Sequence, residues 1–208
     1  MTDYNIDFLI AGLVFLIFLL IHFQRYKRLN NISGRMFWFL IIAGIFDIIF
    51  DLLSSTLLVK SNPAYNSWMI FFSTMLYILQ MIVVYIFFNY TQALRHCNED
   101  IRTRNIKIMA VPILCMELAI VTNVFHKQFF YCNAQGQYVH GKAYLVTYIF
   151  TLICIAVVII NCFINQEEYQ KDELRAIKEF LGVALICVTV QMKFPSLSMT
   201  GFGLSLGI

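Results

Sequence analysis

Charge is scarce in this chain. It has 12 acidic and 15 basic residues in 208, 13% charged overall, against 60% hydrophobic. A soluble globular domain is roughly a quarter charged. A soluble fold is therefore excluded, and no stretch is polar enough to form a separate soluble domain. Proline is also rare, at three residues, so little interrupts the apolar runs. The basic residues sit in short loops and not on one face, which excludes a nucleic-acid surface. The six cysteines show no CxxC or Cys/His metal spacing. Cys115, Cys154 and Cys187 lie within apolar runs, where a thiol packs as a small apolar group. No disulfide framework is expected. There is no HExxH motif, no glycine-rich phosphate loop and no nucleophile elbow. Enzymatic chemistry and a bound cofactor are thus not expected in this chain.

What remains is a set of long apolar runs. A helix needs about 20 apolar residues to cross the hydrocarbon core. The runs predict spans at 6–23, 36–58, 67–90, 106–125, 144–164 and 178–191. A seventh run, 197–208, is too short to cross and reads as an incomplete span. The expected fold is an all-α bundle of seven membrane helices, one domain over residues 1–208. The start, MTDYNID, has no positive charge before the apolar run. It reads as the lead-in to a first span and not as a cleavable signal.

Lysine and arginine set the orientation. Eleven lie in the loops after the first, third and fifth spans, and four in the remaining loops. The eleven should face the cytoplasm, which places the N-terminus outside. The loop after the fourth span is then external. It carries Phe130–Cys132 and Tyr138–His140 around Asn133-Ala134-Gln135-Gly136. Aromatic and β-branched residues flanking a turn that ends in glycine predict a β-hairpin. The stretch Glu167–Glu173 reads as a short acidic-and-basic cytoplasmic turn, a solvated helix extension.

Three acids sit well inside these runs, away from their ends: Asp47, Asp51 and Glu117. A carboxylate at bilayer depth costs several kcal/mol unless it is paired, hydrated or protonated. Asp47, Asp51, Ser54 and Ser55 recur at spacings of three and four, which puts them on one helix face. Two carboxylates one turn apart repel, so one takes up a proton or a cation sits between them. Ser73, Tyr77 and Gln80 form a stripe on the third span, and Thr147, Thr151, Cys154 and Asn161 one on the fifth. Ser73, Thr147, Thr151 and Asn161 also fit hydrogen bonding between helices, worth about 0.5–2 kcal/mol each. Most of these groups fall in the outer half, which predicts an outward-open, hydrated cavity. Its surplus of carboxylates favours cations, amines or protons. The candidate ligand-binding residues are Asp47, Asp51, Ser54, Tyr77, Gln80, Glu117 and Thr151, with no metal centre.

Three segments carry a resemblance. They are Phe46–Ser55 followed by Pro63 and Ser73–Leu79, the aromatic hairpin Phe130–Gly141, and Gln191-Met192-Lys193-Phe194-Pro195. Together they resemble the N-terminal seven-helix sensor regions of Firmicutes-type signalling proteins. The resemblance covers nearly the whole chain. It implies a sensory input domain in a bacterial plasma membrane, detecting an external small molecule. It also implies a homodimer that signals to a cytoplasmic output module, a GGDEF diguanylate cyclase or a histidine kinase. No output module is present in these residues. The alternative is a small proton- or cation-linked transporter or channel. The apolar inner halves of the second and third spans count against a through-path.

Overall fold

The computed structural model describes residues 7–25, 31–60 and 62–193. The architecture is helical. The long helices are α1 (Asp7–Arg25), α2 (Ile32–Lys60), α3 (Asn66–Leu94), α4 (Glu99–Val121), α6 (Tyr144–Ile164) and α7 (Lys171–Lys193). A short helix, α5 (Asn123–His126), follows α4. Two strands, β1 (Phe130–Cys132) and β2 (Tyr138–His140), lie between α5 and α6. The expected partial span at 197–208 lies outside the described residues.

Several helices begin earlier than their apolar runs. The fourth run starts at 106, yet α4 starts at Glu99. The cause is local. Asn98 Oδ1 accepts a hydrogen bond from the Asp100 amide at 3.1 Å, and Glu99 and Asp100 stand in the first turn. A side-chain cap and acids at a helix N-terminus both stabilise the start. The sixth run starts at 178, yet α7 starts at Lys171, again with acids, Asp172 and Glu173, in its first turn. At the other end of α4 the run continues to 125, but the helix stops at Val121. Asn123 then begins α5, which ends at Lys127 in the left-handed region.

Helix α3 is central. It packs against α2, α4, α6 and β1, while α1 packs on α2 and α7 on α6. The main core joins α3, α4, α6 and α7 through Met81, Phe87, Ile113, Met116, Val158 and Phe180. A smaller core of Leu9, Leu16 and Ile48 holds α1 to α2.

Helices α1, α2, α3 and α6 are long and apolar enough to cross a membrane. The surface agrees. Phe18, Phe46, Phe71, Ile153 and Ile160 are large, apolar and exposed. Exposed apolar surface of this extent is costly in water and ordinary in lipid. This is a membrane protein. Helices α4 and α7 do not meet the same standard, because charges recur along them: Arg104, Lys107 and Glu117 in α4, and Arg175, Lys178 and Glu179 in α7.

The strands pair antiparallel, with Phe130 opposite His140 and Cys132 opposite Tyr138. Asn133 closes the turn. Its Oδ1 accepts hydrogen bonds from the amides of Gln135 at 3.0 Å and Gln137 at 2.8 Å. Gly136 takes φ +77°, and a Cβ there would lie 2.6 Å from the Pro63 nitrogen. The turn is therefore seated on the α2–α3 connection. The hairpin is also tied to α5 by the buried Asn123. Asn123 Nδ2 donates to the Phe130 carbonyl and its Oδ1 accepts from the Phe129 amide, both at 2.8 Å.

Candidate binding cavity and the polar clusters

The hairpin covers one end of the bundle, and a cavity of about 50 Å³ lies beneath it. That volume holds roughly three to five waters or a small ligand. Helix α2 contributes Asp51, Ser54 and Ser55, and α3 contributes Ser73 and Tyr77. The hairpin supplies Tyr138 and His140, α6 supplies Tyr148, and α7 supplies Gln191. Among these described lining residues there is no lysine or arginine.

Each side chain is placed by its helix. The α2 face of Asp51, Ser54 and Ser55 is buried. Ser55 Oγ donates to Asp51 Oδ1 at 3.3 Å, one turn back. Ser54 and Ser73 share a hydrogen bond of 3.1 Å across α2 and α3. Tyr77 is fixed by stacking on Phe130 at 5.2 Å, and Phe130 stacks in turn on Tyr138 at 5.9 Å. Phe130 is fully buried between the two rings. His140 lies against Tyr144 at 4.3 Å and edge-on to Tyr138. This partial burial holds its pKa below the ordinary histidine value.

The expected ligand residues therefore separate. Asp51, Ser54 and Tyr77 meet in the cavity. Asp47 is sealed one turn away, 1% exposed, and its Oδ1 has no hydrogen-bond partner among the described residues. Gln80 and Thr151 line a different space, an apolar slot of about 70 Å³ between α3, α6 and α7. Glu117 is half-buried on α4 and lines neither space. The hydrogen bonds divide in the same way. Ser73 and Asn161 bond between helices. Thr147 and Thr151 instead donate to carbonyls of their own helix, Tyr144 at 2.7 Å and Thr147 at 3.0 Å.

Sequence reasoning missed six polar cavity residues as ligand candidates: Ser55, Ser73, Tyr138, His140, Tyr148 and Gln191. The hairpin pattern was a usable signal for two of them. Its alternation places Tyr138 and His140 on one face of β2.

A second polar cluster lies at the opposite end, where solvated loops were expected. Arg95, just after α3, is buried and forms an ion pair through Nε with Glu168. Its Nη2 donates to Asn165 Oδ1 at 2.7 Å. Burial opposes the Arg95 charge, but the hydrogen bond and charge of Glu168 outweigh it and raise its pKa. Alongside, Gln92 Nε2 donates to Asn161 Oδ1 at 2.9 Å, and Asn105 Nδ2 donates to Gln92 Oε1 at 3.2 Å. The Glu167–Glu173 stretch is thus not simply a solvated turn. Glu168 docks on a buried cation and ties the α6–α7 connection to α3.

No family model, curated protein or solved structure matches this chain. Among the described residues there is also no group of three His, Cys, Asp or Glu placed to hold a metal ion.

Proposed function

We propose that this chain is a membrane-embedded sensory input domain whose ligand enters the hairpin-end cavity at Asp51. One observation carries the reading. A buried carboxylate and a ring of hydroxyl groups share a small cavity built from α2, α3, α6, α7 and the hairpin at once. A ligand there touches four helices together. It can bias their arrangement if it binds two arrangements with different affinity.

The loop charges put the hairpin end outside and the Arg95–Glu168 end in the cytoplasm. Helix α4 crosses as well. Its residues Ile108, Val111, Leu114, Leu118 and Val121 are exposed and apolar at spacings of three and four, a lipid-facing stripe. Helix α7 crosses likewise, and a seventh span would lead to the output module. On the resemblance described above, that module is a diguanylate cyclase or a histidine kinase in a bacterial plasma membrane, and the input domain works as a homodimer. The chain itself has no enzymatic role in this reading.

Labelling tests the orientation. Gln135→Cys, in the hairpin turn, should react with an impermeant maleimide on intact cells, and Asp172→Cys should react only after lysis. The reverse pattern would end the reading. A transporter instead predicts cation flux in liposomes that Asp51→Asn abolishes. The sealed position of Asp47 and the paired Arg95 favour the sensor.

A further inference from the structure

Gln80 stands at the middle of α3, fourteen residues from either end of Asn66–Leu94. About 21 Å of helix therefore separates it from each end. No water bonds an amide at that depth in lipid, and an amide left unpaired in an apolar medium is costly. Yet Gln80 makes no hydrogen bond among the described residues. Gln92, further along the same helix, is bonded on both sides, by Asn161 and Asn105. Gln80 instead lines the apolar slot of about 70 Å³ between α3, α6 and α7. From there the slot follows α3 through Val84 to Phe87, seven residues and so about 10 Å. Phe87 stacks on Phe180 at 4.2 Å, and Ile155, Val158 and Val188 add to the walls. Thr151 joins Gln80 in the lining. Its hydroxyl donates to the Thr147 carbonyl at 3.0 Å, which leaves its oxygen able to accept. None of the described lining residues is charged.

We infer that this slot is a second binding site, for a neutral amphiphile with a hydroxyl head and a short aliphatic tail. The hydroxyl accepts from Gln80 Nε2 and donates to Thr151 Oγ1, and the tail lies along α3 toward Phe87. The inference goes beyond the Asp51 cavity and needs no ligand there. The chemistry selects the head group. An ammonium or a carboxylate would stand at mid-membrane depth with no counter-charge among the described lining residues. An alkane would leave the Gln80 amide unpaired. A ketone or an ester only accepts, so the Thr151 oxygen would have no donor. An alcohol does both. The slot selects the tail, because its walls are aliphatic and the Phe87–Phe180 pair stands seven residues of α3 away from Gln80.

The test uses the full chain in lipid nanodiscs and a 1-hexanol analogue with a photoreactive diazirine on its tail. Adducts are mapped by mass spectrometry. They should form at Val84, Ile155 and Val188 in the slot, as well as at Ile153 and Ile160, which are exposed to lipid. Excess 1-hexanol should remove most of the slot adducts and spare the lipid-facing ones. Hexanoate and hexyltrimethylammonium should remove neither. Gln80→Leu should lower slot labelling by about fivefold. Ala184→Phe, which fills the slot, should abolish it and leave labelling at Ile153 and Ile160 unchanged, and Val188→Phe serves if that variant does not fold. Adducts confined to lipid-facing residues, or slot adducts that 1-hexanol does not displace, would overturn the site, since the probe would then only be dissolved in the bilayer. Displacement by hexanoate as strong as by 1-hexanol would overturn the neutral head group. Slot labelling in Gln80→Leu equal to that of the wild-type chain would overturn the part given to Gln80.

Discussion

Arg95 and Asp51 are equally buried, each 7% exposed, yet they are satisfied in different ways. Arg95 meets a full counter-charge, Glu168, and a second acceptor, Asn165. Asp51 faces a cavity of hydroxyl groups and rings, and one turn away Asp47 is sealed with an oxygen that has no partner among the described residues. The first arrangement locks α3 to the α6–α7 connection. The second leaves space beside a charge. Removing one partner of a buried pair is costly, whereas a sealed carboxylate such as Asp47, with an oxygen that has no partner among the described residues, is itself the cost. Charge removal at the Arg95–Glu168 pair and at Asp47 should therefore have opposite signs.

The largest effect is expected at Arg95. Glu168→Ala strands a buried guanidinium. Because Glu168 is itself 38% exposed, the loss should be about 2–3 kcal/mol, below the full buried-pair figure. Thermal unfolding in nanodiscs measures it. Adding Arg95→Met to Glu168→Ala should recover part of the loss. A double variant worse than the single one would mean that the pair is not what holds that end.

At Asp47 the sign reverses. Asp47→Leu removes a sealed carboxylate at similar volume and should stabilise by about 1–3 kcal/mol. A clear loss of stability would mean that Asp47 is satisfied after all, and the contrast between the two ends would collapse. Asn123→Ala sharpens the comparison from another direction. It removes both bonds that hold the hairpin to α5 and should cost about 1–2 kcal/mol. It should also open the Asp51 cavity, seen as faster hydrogen exchange at Phe129–His140 with no change around Arg95.

The smallest effect comes from pH. Partial burial lowers the His140 pKa in the fold, so folding favours the neutral ring. That contribution is complete above the unfolded value, about 6.5. It is lost as pH falls through 6.5 toward the folded value. The melting temperature should therefore drop slightly between pH 7.5 and 5.5, and by less in His140→Gln. An equal drop in both proteins would assign the effect to another group.

Much of the helical framework was legible in the sequence, because apolar runs of about 20 residues have few alternatives. The α2 face of Asp51, Ser54 and Ser55 was legible for the same reason, since helical spacing alone gathers it. Two things were not. Helix starts at Glu99 and Lys171 come from capping and dipole effects in polar residues, which hydropathy does not register. Long-range partners were hidden too. Nothing in the sequence ties Arg95 to Glu168, 73 positions away, and Glu117 looked equivalent to Asp51 by depth alone. Which face of α4 meets α3 decides its place, and periodicity in α4 is weak because its apolar residues surround it.

The central claim is a carboxylate in a space that a cation can reach. The direct measurement is the melting temperature of the chain in nanodiscs with methylammonium chloride against potassium chloride at equal ionic strength. The wild-type chain should gain stability with methylammonium as a ligand does by mass action, and Asp51→Asn should not. Equal curves for both salts in the wild-type chain, or an equal gain in Asp51→Asn, would contradict the account.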